Sequence, residues 1–104
     1  MIETVSMAWV KRNARGYFFS PGAMAYFKSR LPETALRNGD RVFFWTSEQF
    51  MDEPRRWTLR RLSLVTGDVT TIGEFQAYST AAQAKQAVFD AAHGQLPDEP
   101  EEAA

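Results

Sequence analysis

Cysteine is absent from this chain and histidine occurs once, at His93, so disulfide frameworks, cysteine-ligated zinc and iron–sulfur sites are excluded. With one histidine and no thiol, the usual hydrolase triads and transition-metal sites have no residues to be built from. No glycine-rich phosphate loop occurs, and no apolar run approaches the roughly 18 residues of a membrane span. The amino terminus also lacks the charged-then-apolar pattern of a signal peptide. A cytoplasmic protein with no cofactor, no metal and no membrane partner is expected. His93 sits where a helix should end, a place for capping rather than catalysis. The carboxylates Glu48, Asp52 and Glu53 flank one loop, but no nucleophile and base can be paired, which argues against an enzyme.

What is present is bulk. Aromatics make up 13% of the 104 residues, with eight Phe, three Trp and three Tyr, more than a minimal core of this size needs. The net charge of −1 hides an asymmetry: four of the 13 acids lie in residues 97–104, leaving 12 basic and nine acidic groups before them. The body is mildly basic. The tail, Pro97 to Ala104, has two prolines and no apolar periodicity, so residues 1–96 are expected to form one domain and residues 97–104 a disordered acidic tail.

The clearest local pattern runs from Arg55 to Ala92. Arg56 to Leu64 and Val69 to Tyr78 are rich in β-branched and aromatic residues and read as two limbs of a hairpin. Between them, Thr66-Gly67-Asp68 supplies a glycine for the φ > 0 position. Ser79 or Thr80 then caps a helix from Ala81 to His93, ended by Gly94. Its stripe of Ala81, Ala84, Val88 and Ala91 lets the helix approach a sheet closely, with Phe89 covering one end of the core. Upstream, Arg41 to Thr46 is apolar on both faces, as a central strand would be, and follows the turn dipeptide Asn38-Gly39.

Ser20-Pro21 marks a helix start, and Met24, Phe27 and Leu31 share one face of that helix up to Pro32. Ile2 to Val10 alternates and reads as a strand, with a second hairpin closing near Gly16 to Phe19. The whole predicts an α+β domain: a three-stranded or larger antiparallel meander with two helices packed on one face. Phe75 and Met24 are expected in its core, and Trp57 either there or on the working surface.

The densest charge is Arg55, Arg56, Arg60 and Arg61 around Trp57. Strict alternation puts Trp57, Leu59 and Arg61 on one face and Arg56, Thr58 and Arg60 on the other; a bulge near Arg60-Arg61 would let both faces carry arginine. Exposed arginines paired with Glu48, Glu74 or Asp68 would contribute mainly solubility. Joined by Trp45, Tyr78 or Tyr17, they would form an arginine and aromatic surface suited to an acidic protein partner or to nucleic acid. A body balance of only +3 disfavours the nucleic acid, whose non-specific affinity comes from many phosphate contacts.

Two resemblances are carried by these segments. Trp57-Thr-Leu-Arg-Arg, Ile72-Gly-Glu-Phe75 and Ser79-Thr80 before an alanine-rich helix resemble the AP2/integrase-amino-terminal type of DNA-binding domain over residues 41–92. That resemblance implies a sheet laid in a groove through Arg56, Trp57 and Arg60. The segments FFSPGAMAYFKSR, FFWTSEQ, RRWTLRRL and TIGEFQAYST, from Phe18 to Ala92, resemble a family of small proteins from bacteriophages and other mobile elements. It implies an accessory protein, anti-CRISPR-like, that binds a host or defence-system macromolecule.

Overall fold

The computed structural model describes residues 1–15, 18–26 and 28–95. Five strands, β1 (Ile2–Ser6), β2 (Thr34–Asn38), β3 (Arg41–Glu48), β4 (Arg56–Ser63) and β5 (Val69–Ile72), form one antiparallel sheet in sequential order. Three helices accompany it: α1 (Met7–Asn13), α2 (Pro21–Tyr26) and α3 (Ala81–Ala92). The α+β class and the antiparallel meander are those expected, with two further strands and one further helix. The expected acidic tail at 97–104 lies outside the described residues, as do Tyr17 and Phe27.

The expected strand over Ile2 to Val10 is half strand, half helix. Ser6 ends β1 and its hydroxyl accepts from the Trp9 N–H at 3.1 Å, capping α1. From there Met7 and Val10, three residues apart, bury one helical face. Lys11 and Arg12 in the last turn suit the helix dipole. Among the described residues of this region there is no second strand for a hairpin. β1 pairs instead with β2, from Ile2 opposite Asn38 to Ser6 opposite Thr34. β2 is a strand with little β propensity of its own, held by a neighbour on each side. The turn into β3 is centred on Gly39-Asp40, one residue later than the Asn38-Gly39 reading, with Gly39 at φ 64°.

The expectation that the helices share one face of the sheet is overturned. β3 alternates Val42, Phe44, Thr46 and Glu48 on one side with Phe43, Trp45 and Ser47 on the other, and both sides need cover. Ala87, Val88, Ala91 and Ala92 of α3 pack with Phe43, Leu59 and Ile72 on one. Met7 and Val10 of α1, with Phe18, Phe19 and Leu31, pack with Val42, Phe44 and Leu62 on the other. The short α3 stripe can seal only one apolar face. The chain therefore spends its first helix and the segment around α2 on the second.

α2 begins as expected, the Ser20 hydroxyl accepting from the Ala23 N–H at 3.3 Å, but ends at Tyr26, before Lys28 turns to φ 50°. α3 matches the expected helix closely. Thr80 is its N-cap, His93 its C-cap, and Gly94 has φ 73°. Phe89 does not cover the core: it is half exposed and its ring lies 4.1 Å from that of His93. β5 is shorter than expected because Gly73, at φ 73°, turns the chain out of the sheet.

Gly67, at φ 81°, makes the β4–β5 turn and its carbonyl accepts the Arg15 N–H at 2.8 Å. A methyl group there would lie 2.7 Å from Arg15 Cγ, whereas one on Gly39 would meet nothing within 4 Å. Both sites impose the left-handed backbone that costs an L-residue about 1–2 kcal/mol. Gly67→Ala is therefore expected to lower stability more than Gly39→Ala in paired urea unfolding curves, the difference reporting the displaced Arg15.

Candidate binding cleft

The β3–β4 register sets Phe44 opposite Arg60, Thr46 opposite Thr58 and Glu48 opposite Arg56, while β5 sets Thr71 opposite Arg60. Because these residues share a face, the α1 side of the sheet changes from apolar at Val42 and Leu62 to polar at Thr46, Glu48, Thr58 and Arg60. No bulge interrupts β4. Glu48 and Thr58 are buried, at 3% and 0% exposure.

A closed set of hydrogen bonds makes this burial tolerable. The Thr46 hydroxyl donates to Glu48 Oε2 at 2.6 Å and accepts from Arg60 Nε at 3.0 Å. Thr58 Oγ1 donates to Glu48 Oε1 at 3.0 Å and accepts the Gln76 N–H at 2.8 Å. Arg60 Nη2 meets Glu48 Oε2 at 3.3 Å, and Nη1 donates to Thr71 Oγ1. Among the described residues no buried side-chain nitrogen or oxygen lacks a partner. Burial pulls the Arg60 guanidinium below its ordinary pKa, opposed by the charge of Glu48 and its hydrogen bond.

Aromatic rings complete the site. Arg60 Cζ lies 5.0 Å from the Phe18 ring centroid and 5.6 Å from that of Phe75, within cation–π range of both. Beside them opens a cleft of about 180 Å³, walled by Phe18, Phe19, Met24, Leu31 and Phe75 and floored by Thr46, Glu48 and Arg60. Lys28, Met51 and Gln76 are, among the described residues, the non-glycine positions at positive φ; Lys28 precedes the cleft-lining Ser29 and Gln76 follows the cleft-lining Phe75. Gln76 Nε2 donates to the Glu48 carbonyl at 3.3 Å, and Phe50, next to Met51, packs its ring 6.2 Å from that of Phe75. Such conformations persist only where surroundings hold them, and they gather at binding sites.

The residues singled out from the sequence do not form one surface. Arg56 and Arg60 face the α1 side; Trp57, Arg61 and Trp45 face the α3 side, where Arg61 is buried. Arg56 donates from Nε to the Gln76 carbonyl at 2.7 Å. Arg55 reaches across to the Ser47 hydroxyl at 2.8 Å, its pKa lowered by burial and by Arg30. Tyr78 bridges Trp57 through backbone hydrogen bonds and packs on the α3 core, as Trp45 does. Phe75, expected in the core, is 47% exposed at the cleft mouth, and Trp57 and Met24 are half-buried. Glu48, expected in a solvated loop, is the buried anchor. Its signal was parity: it falls two and four residues after Thr46 and Phe44, on the face of an alternating strand that turns inward.

The fold and site define a small α+β protein: a five-stranded antiparallel meander covered on both faces, with a cleft at one end over a buried Glu–Arg pair. By sequence the chain belongs to a family of unknown function, DUF7447, whose model matches residues 4–89. That span contains every residue of the polar network and of the cleft walls. The match says nothing of bacteriophages or of AP2/integrase domains. No curated protein matches the chain, and no solved structure does. Among the described residues no helix is long and apolar enough to cross a membrane, and no three metal-binding side chains converge.

Proposed function

We propose that this protein is a non-enzymatic binding module that docks the cleft end of its sheet onto a protein partner. The observation that supports this reading is where the apolar surface lies. Phe75 is exposed at the rim of a cleft floored by Thr46, Glu48 and Arg60, with Phe50 against its ring and the exposed Met51 next along the chain. Large apolar groups left in water around a concavity favour a partner that covers them. A host or defence-system protein, in the mobile-element setting that the resemblance implies, is part of the same proposal.

The competing reading is a nucleic-acid module. It would lay a bare sheet face in a groove, and here each face carries a helix core. Arg55, Arg56 and Arg60 also donate to internal acceptors, leaving fewer charges for phosphates. Pull-down from bacterial lysate with and without nuclease separates the two. Capture that survives nuclease and is lost in the double variant Phe75→Ser/Met51→Asn is expected. The double variant should keep its fold at a cost of about 1–2 kcal/mol, most of it from the half-exposed Phe75 ring that packs on Phe50 and Arg60, and far-UV circular dichroism checks this before capture is compared. Capture that vanishes with nuclease, with affinity falling steeply as salt rises, would promote the nucleic-acid reading.

A further inference from the structure

The chemistry of the cleft floor is selective among the side chains that a docking partner could insert. We propose, on the basis of the docking function, that the partner places a tyrosine side chain in the cleft. A guanidinium has five N–H donors, and Arg60 uses Nε on Thr46, Nη1 on Thr71 and Nη2 on Glu48. One hydrogen on each terminal nitrogen remains, on a side chain that is 12% exposed and lines the cleft. Beside it stands the Glu48 carboxylate, an acceptor only. The floor thus offers donors and an acceptor together at zero net charge.

That combination discriminates. An anionic group such as a carboxylate or phosphate would approach the buried charge of Glu48, and a cation that of Arg60. A phenyl or aliphatic group would take water from the free Arg60 donors without replacing it, a loss that makes such sites reject analogues lacking the polar group. Indole only donates. A phenol hydroxyl accepts from Arg60 and donates to Glu48, while its ring meets Phe18, Phe19, Phe75, Met24 and Leu31.

Titration of the ¹⁵N-labelled protein with free N-acetyl-tyrosinamide tests this without any partner, so its failure is distinct from failure of the docking function. Saturable shifts of the Arg60 Nε–H and of the Ser29 and Phe75 amides are expected, with a dissociation constant on the order of a millimolar for so small a ligand. N-acetyl-phenylalaninamide should bind about tenfold more weakly or worse, and the O-phosphorylated tyrosinamide should not bind. Ala23→Trp, which fills the cleft from α2, should abolish the shifts; if that variant does not fold, the three ligands on the parent protein still decide. Equal binding of the phenylalanine amide, tighter binding of the phosphorylated one, or no saturable shift with tyrosinamide would overturn the proposal.

Discussion

Glu48→Ala is expected to destabilise the protein by about 3–5 kcal/mol, because it removes one half of a buried ion pair and leaves the other half charged. The carboxylate accepts from Thr46, Thr58 and Arg60, and each would lose its partner within an enclosure that water reaches poorly. Restoring neutrality should recover the part of the loss that comes from the unpaired charge, while the buried Thr46 and Thr58 hydroxyls still lack their acceptor. In the double variant Glu48→Leu/Arg60→Met both charges are gone and the volume is nearly kept, and such replacements are often neutral or stabilising. Guanidinium unfolding of the parent, the single and the double variant measures this directly. A single variant within about 1 kcal/mol of the parent would mean that solvent screens the pair as it does on a surface. If the double variant proves as stable as the parent, the pair is kept for what the cleft recognises rather than for stability.

Phe44→Ala should cost a comparable amount, about 3–5 kcal/mol, through a different cause. Phe44 is fully buried at the centre of β3, and its ring lies 6.4 Å from Phe18 and 6.0 Å from Phe19. Truncation removes transfer free energy and also opens a cavity beneath the segment that forms one cleft wall. In a chain of this size the melting temperature should fall by about 12 °C or more. Phe89→Ala provides the control on the other side of the sheet, since that ring is half exposed on α3 and should cost about 1 kcal/mol or less. Equal losses at the two positions would show that ring size, not burial, sets the effect. The cleft should also loosen in the Phe44 variant, giving earlier proteolysis at residues 18–31 than in a Phe89 variant.

The elements legible in the sequence were those whose signals are local. Thr80 and Gly94 bound α3 because a side-chain oxygen and a left-handed glycine satisfy orphan backbone groups within a few residues. Gly67 made the β4–β5 turn for the same kind of reason, and the two-sided apolar run at Arg41 to Thr46 identified the central strand. Strict alternation places Arg60 and Arg61 on opposite faces, as the unbroken β4 does, and the bulge expected between them is absent. Alternation could not say that Arg61 would be buried or that Arg60 would lie over a carboxylate, because those facts belong to neighbouring strands.

Only the tertiary structure decided the rest, wherever a residue's state depends on a partner distant in the chain. β2 has weak β propensity and exists because β1 and β3 each offer it an edge. Met7 and Val10 could have alternated in a strand, but the uncovered face of Val42, Phe44 and Leu62 gave their helical spacing a place to pack. Phe75 looked like core and became a rim because Gly73 turns the chain out of the sheet before it. Glu48 looked like loop and became the floor of a cleft because β3 continues to it and β4 brings Thr58 and Arg60 alongside. Sequence alone determined the bounds of α3, the start of α2, the glycine turns to within a residue and the parity of β3 and β4, which are set by short-range backbone chemistry. Which faces meet, and so which charges are buried together, was set by packing between segments far apart in the chain.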